Sequence, residues 1–186
     1  MDDDEKLVAE YLDGDEGAYA ALVERHLRSV YAFAMRFTQD SNEAEDVVQE
    51  SFLKAWKSLK KFDAKKARFK TWLMSIARNT AIDHLRRRKN TPFVEFDTDG
   101  NNFSESIADE TPLPDEIAAR KDDVAALERA LMEISVRHRE VLLLYNNGND
   151  FTFQEIATIL GESMNTVKSR YRRAVEALTQ ALMHQK

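Results

Sequence analysis

Apolar residues recur along most of this chain at the spacing of an α-helix, and the breaks in that period mark where one helix ends and the next begins. From Glu16 to Phe37, the positions Tyr19, Leu22, Val23, Leu27, Val30, Tyr31, Ala34 and Phe37 form one apolar face. After a break at Thr38 to Ser41, Asn42 followed three residues later by Glu45 has the form of a capping box. It opens a second predicted helix running to Leu59, with Ala44, Val47, Val48, Phe52, Ala55, Trp56 and Leu59 inward. A third stretch, Phe69 to Arg88, repeats the pattern through Phe69, Trp72, Leu73, Ile76, Ala77, Ala81, Ile82 and Leu85. The period then stops. Residues 91–114 hold three prolines, a glycine and many acidic and amide side chains, the composition of a linker. Pro114 suits the first turn of a new helix that carries Val124, Leu127, Ala130, Leu131 and Ile134, and Ser135 caps the next, with Val141, Leu142 and Leu144. That helix ends in NNGND, residues 146–150.

The final pattern is the most specific. Phe153, Ile156, Ile159 and Leu160 define a short helix, Gly161 breaks it, and Ser163 is placed to cap a last helix whose inward stripe is Val167, Tyr171, Ala174, Val175 and Leu178. This is the plan of a helix-turn-helix. Asn165, Thr166, Lys168, Ser169, Arg172 and Arg173 fall on the outer side of the second helix, the part that enters the DNA major groove in such motifs. An amphipathic helix with a solvated basic face gives the same pattern. The expected fold is therefore all-α: two small helical domains, residues 1–90 and 115–186, joined by an acidic linker at 91–114, with the helix-turn-helix in the second.

A length of 186 residues, 43% hydrophobic and 32% charged, suits a helix-rich protein with enough material for two small cores. Cysteine is absent, which excludes a disulfide framework and thiolate metal sites. The acidic start MDDDEK is unlike a signal peptide, and no apolar run reaches the roughly 20 residues of a membrane span, so the expected location is cytoplasmic.

The net charge of −6 argues at first against a nucleic-acid partner. Its distribution changes the picture. Residues 1–50 hold 14 acidic and 4 basic side chains, 60–89 hold 2 acidic and 11 basic, and 90–123 hold 10 acidic and 2 basic. Attraction to phosphate is thus local to particular surfaces, and the acidic parts face something else. On the second helix, Asp46 and Glu50 share a face, a spacing open to a metal or acid–base pair, to plain solvation or to an acidic docking surface. The four histidines lie far apart with no metal-ligand spacing, and no nucleophile has a catalytic setting, so neither a metal, a cofactor nor catalysis is expected. The segment KKFDAKKAR (60–68) reads as a loop that accepts phosphates. With Phe62, Phe69 and Trp72 as stacking groups, Asn79 and Asp83 a turn apart, and the cations that follow Leu85, it has the makings of a single-strand track. A core role for Phe69 and Trp72, and the helix dipole for the terminal cations, account for the same residues.

DVVQESFLKAW, FKTWLMSIARNTAIDHLRRR, the linker, REVLLLY and EIATILGESMNTVKSRYRRA, in that order, resemble an extracytoplasmic-function sigma factor of bacterial RNA polymerase over nearly the whole chain. The resemblance implies that residues 1–90 are sigma domain two, docking on core RNA polymerase through Asp46, Gln49, Glu50 and Phe52. It implies capture of the non-template strand of a promoter's minus-ten element by Phe62, Lys65, Lys66, Asn79, Asp83, Arg86 and Arg87. Residues 115–186 would be sigma domain four, reading the minus-thirty-five element through Phe153, Gln154, Asn165, Thr166, Lys168, Ser169, Arg172 and Arg173, with an anti-sigma factor as regulator. The chain departs from the family at NNGNDFT, one residue longer, and at Ile134–Ser135, where Leu-Pro is common. A free-standing helix-turn-helix regulator is the alternative, but it has no use for an acidic docking helix followed by a basic aromatic surface.

Overall fold

The computed structural model describes residues 2–90, 114–146 and 151–184. Residues 91–113 of the linker expected at 91–114, and residues 147–150 of the NNGND ending at 146–150, lie outside the described residues, whereas Pro114 already belongs to a helix. Within them all regular structure is helical: α1 (Asp3–Leu12), α2 (Glu16–Thr38), α3 (Ser41–Ser58), a 3-10 turn (Leu59–Lys61), α4 (Phe69–Asn90), α5 (Pro114–Glu133), α6 (Val136–Tyr145), α7 (Phe153–Leu160) and α8 (Met164–His184).

Local chemistry accounts for most boundaries. Ser135 Oγ accepts from the His138 N–H and starts α6. Thr152 and Glu155 form a reciprocal capping box on α7. Gly161, in the left-handed region at φ 67°, closes α7, and Ser163 Oγ accepts from the Thr166 N–H at 3.1 Å to open α8. Two boundaries differ from expectation. The cap of α3 is Asp40, whose carboxylate accepts from the Glu43 N–H at 3.1 Å, and not Asn42, which lies inside the helix. The acidic start is itself a helix, α1. Its first turn carries Asp3, Asp4 and Glu5, charges that a helix N-terminus favours, and Val8 packs its inner face.

Helices α1 to α4 pack around Leu22, Val30, Phe33 and Phe37 of α2, Val47 and Ala55 of α3, and Phe69, Leu73 and Met74 of α4. Helices α5 to α8 enclose Leu131, Val141, Leu144, Ile156, Ile159, Val167 and Ala174. The two sets touch, chiefly α4 on α7 and α2 on α6, and their buried residues form one continuous cluster. Arg139, buried on α6, donates to the Leu131 and Met132 carbonyls of its own set and to the Phe37 carbonyl near the end of α2, at 3.2 Å.

Asp4, also buried, joins α1 to α2 by accepting from Arg25 at 2.7 Å and meeting His26 Nε2 at 2.8 Å. Burial in this position, partly countered by Asp4, holds the His26 pKa below its ordinary 6.5. The unfolded chain therefore binds a proton more readily than the folded one. This contribution to stability is complete above pH 6.5 and falls away as the pH drops below it.

Candidate nucleic-acid and partner interfaces

Helix α3 presents a stripe of exposed side chains, Asp46, Gln49, Leu53 and Trp56, at successive turns. Gln49 joins two hollows along this stripe. One, of about 350 Å³, lies between α2 and α3 and is lined by Glu24, Leu27, Arg28, Tyr31, Glu45, Val48 and Gln49. The other is lined by Tyr19, Gln49, Phe52, Leu53 and Trp56. Trp56, expected in the core, is 48% exposed, and its indole N–H donates to Tyr11 Oη at 2.6 Å, so the helix missed in the sequence holds it on the surface. Leu53 was legible as an apolar residue off the inward stripe.

The four residues expected to dock do not share one environment. Asp46 and Gln49 are exposed together, whereas Phe52 is buried and Glu50 turns toward α4. Glu50 pairs with Lys54 Nζ and His84 Nε2, each at 2.8 Å. Hydrogen bonds from Lys54 and His84 hold its carboxyl at about 2, far below the ordinary 4.5. A depressed carboxylate stabilises the fold above the unfolded pKa and loses that effect as the pH falls through the folded one. Glu50→Gln is therefore expected to reduce stability at pH 7, with the difference from the native chain closing between pH 4.5 and 2 in urea unfolding curves. A difference independent of pH would contradict this assignment.

The basic aromatic segment is more structural than its sequence suggested. The Phe62 ring stands edge-on to Phe69 at 5.7 Å and tilted against Trp72 at 5.3 Å, so all three side chains form one cluster that anchors the loop to α4. Phe69 is fully buried and Trp72 half-buried. Lys65 and Lys66 stay exposed on the loop, which turns on Asp63 Oδ1 accepting from the Lys65 N–H at 3.0 Å. Along α4, Asn79, Asp83, Arg86 and Arg87 recur over little more than two turns. Asn79 Oδ1 accepts from Arg78 at 2.9 Å, Asp83 pairs with Arg86 at 3.2 Å, and Arg87 approaches Glu50 at 3.9 Å.

On the helix-turn-helix, Asn165, Thr166, Lys168, Arg172 and Arg173 are exposed and Ser169 is half-buried. Ser169 accepts from Arg173 through both its carbonyl and its hydroxyl, at 3.3 and 3.2 Å, which fixes that guanidinium along the helix. Gln154 is exposed at the start of α7. Phe153 is half-buried, stacked on Tyr145 at 5.0 Å and edge-on to Tyr171, with Lys168 Nζ 6.0 Å from its ring centre. Its ring supports Lys168 from below. Arg170 differs from its basic neighbours: it points inward, 8% exposed, and pairs with Glu140 and Glu162.

Among the described residues no group of three or more His, Asp or Glu side chains could hold a metal ion, and no helix is long and apolar enough to cross a membrane. Fold and surfaces together define an all-helical protein, within the described residues, whose α7 and α8 form a helix-turn-helix with a cationic outer face. Residues 22–91 match Sigma-70 region 2 and residues 130–180 match Sigma-70 region 4. The chain is 31% identical over 185 residues to the RNA polymerase sigma-H factor of Pseudomonas aeruginosa, covering 98% of this chain and 95% of that one. It is 36% identical over 159 residues to the ECF RNA polymerase sigma factor SigL of Mycobacterium tuberculosis, covering 85% of each. Its fold matches that of CnrH, solved in complex with the cytosolic domain of CnrY, over the full length of both chains with a TM-score of 0.73 and 26% identity. The chain belongs to the extracytoplasmic-function (ECF) RNA polymerase sigma factors.

Proposed function

We propose that this chain works in the cytoplasm as an alternative sigma factor, without catalysis of its own, and that residues 1–90 and 115–186 are its domains two and four with the acidic 91–114 segment between them. The observation that carries this reading is the presence in one chain of two unlike surfaces: the exposed stripe Asp46, Gln49, Leu53 and Trp56 on α3, and the cationic outer face of α8. A free-standing repressor needs only the second. The α3 stripe, polar at one end and apolar at the other, suits a protein partner, and core RNA polymerase is the one proposed. The exposed Lys65, Lys66, Asn79, Arg86 and Arg87, with Asp83 on α4, are the residues proposed to meet the opened minus-ten strand. Phe62, half-buried against Phe69 and Trp72, holds the loop of Lys65 and Lys66 in place. That the sigma factor RpoE of Bartonella quintana, 25% identical to this chain with a TM-score of 0.65, was solved in complex with the anti-sigma factor NepR supports control by an anti-sigma partner.

Run-off transcription with purified core polymerase on a library of genomic fragments tests this directly. The expected result is initiation at a defined subset of fragments, and no initiation anywhere would favour the free-standing regulator. Lys168→Ala and Arg173→Ala are each expected to weaken binding to the minus-thirty-five element, by roughly 1–3 kcal/mol where a base edge is contacted. A residue that touches only phosphate would instead lower affinity evenly across sequences and reduce the salt slope by about 1. Titrations at several salt concentrations on matched and scrambled elements separate the two.

A further inference from the structure

One face of α1 carries Asp4, Val8 and Tyr11, at the i, i+4, i+7 spacing that a helix stacks along one side. Asp4 is buried against Arg25 and His26 of α2, and Val8 lies in the core, so the helix is fastened at its first two turns. Tyr11 stands about 10 Å further along the axis than Asp4. It is half-buried, and its hydroxyl accepts the Trp56 indole N–H at 2.6 Å. Tyr19 stands beside it, ring centres 5.5 Å apart, and ties α2 to α3 by donating to the Phe52 carbonyl at 2.6 Å. Trp56 is a wall of the hollow that Tyr19, Gln49, Phe52 and Leu53 complete. Tyr11 is outside that lining, behind the indole, and reaches the hollow only through it. A ring 48% exposed is packed on one side only, which leaves more than one staggered rotamer open to it. The bond to an anchored helix selects one of them.

We propose that Tyr11 is a positioning residue for docking: its hydroxyl holds the Trp56 indole in one orientation, so that the hollow on α3 is formed before core polymerase arrives. This rests on the reading of the α3 stripe as the polymerase-docking surface. Apart from Gln49 the walls of the hollow are rings and aliphatic carbon, so the group it receives is an apolar side chain of the partner. Ordering a free side chain on binding costs affinity, and a side chain already held avoids that cost. Helix α1 thus acts on the docking surface from behind. Asp4 acts one step further back, by anchoring the helix that carries Tyr11.

Tyr11→Phe tests this, because it keeps the ring beside Tyr19 and removes only the hydroxyl. The full-length chain has two tryptophans, so nitrogen-15 labelling gives two indole N–H signals, and that of Trp56 is the one lost in Trp56→Phe. In Tyr11→Phe the Trp56 N–H is expected to exchange with solvent several-fold faster than in the native chain, with the Trp72 signal and the helical circular dichroism unchanged. By calorimetric titration the variant is expected to bind core polymerase roughly two- to tenfold more weakly. In a Trp56→Phe background the same substitution is expected to cost nothing further, since the donor is already gone. A general loosening of the fold would instead disturb both indole signals and weaken binding in either background. Native affinity or native exchange in Tyr11→Phe overturns the positioning role, and so does a further loss in the Trp56→Phe background. Trp56→Ala keeps the two claims apart. If it binds polymerase as the native chain does, Trp56 is no part of the docking surface and the proposal falls with that reading. A weakened Trp56→Ala beside an unaffected Tyr11→Phe refutes the role of Tyr11 alone.

Discussion

Alanine at both Asp46 and Gln49 is expected to abolish binding to core RNA polymerase while leaving the fold intact. Both side chains are exposed on the outer face of α3, where substitutions change stability by no more than about 0.5 kcal/mol and alanine is the best helix former. Gln49 lies where the two hollows of this surface meet, so truncating it alters the centre of the proposed contact and not its rim. Hot-spot residues, which cluster at the centre of an interface, each cost roughly 2 kcal/mol or more when truncated, and two such losses together are expected to exceed a hundredfold in affinity. Phe52→Ala serves as the contrast. Its ring is 8% exposed, and its loss costs roughly 3–5 kcal/mol of stability, so weak binding by that variant would report unfolding. Calorimetric titration against core polymerase, paired with thermal melts, distinguishes the cases. Unchanged affinity in a folded Asp46→Ala, Gln49→Ala protein removes the docking assignment.

The second large effect separates two neighbouring arginines that look alike in the sequence. Arg170→Ala leaves Glu140 buried with Arg78 as its remaining ionic partner among those described, and frees Glu162. Burial pushes the Glu140 carboxyl up while Arg78 and Arg170 pull it down, so losing one guanidinium tips that balance against the charged form. Breaking a buried pair in this way costs roughly 3–5 kcal/mol. Arg172→Ala, two residues on and fully outward, is expected to change stability by no more than about 0.5 kcal/mol and to act on DNA binding instead. Urea unfolding of the two variants side by side measures the contrast, and equal stabilities would contradict the placement of Arg170.

The position of Arg170 shows where sequence reading stopped. Four cations stand among residues 165–178, and helical period alone assigns them to faces only within about one position. Which of them turns inward depended on a carboxylate, Glu140, thirty residues away on another helix. Trp56 and Leu27 were counted inward by period, yet both lie at the surface while Phe33 is fully buried. Helix α2 packs against α1, α3, α4 and α6, and its buried arc shifts as the neighbours change, so a single apolar stripe could not describe it. Phe62 has the character of a stacking group, and only the structure shows its ring packed against Phe69 and Trp72. The acidic start carried no apolar stripe long enough to announce α1, and its place is set by distant partners, Asp4 on His26 and Tyr11 on Trp56.

What the sequence by itself determined is local. Periodicity placed the helices, Ser135, Ser163 and Gly161 punctuated them where the backbone demands a cap or a left-handed residue, and the order of motifs named the family. Tertiary structure alone decided which charges are free to meet a partner and which are consumed inside the molecule. Helix period and capping act through neighbours within a turn or two of the chain. The pairing of Arg78 with Glu140, or of Glu50 with His84, depends on how whole helices come to lie against one another.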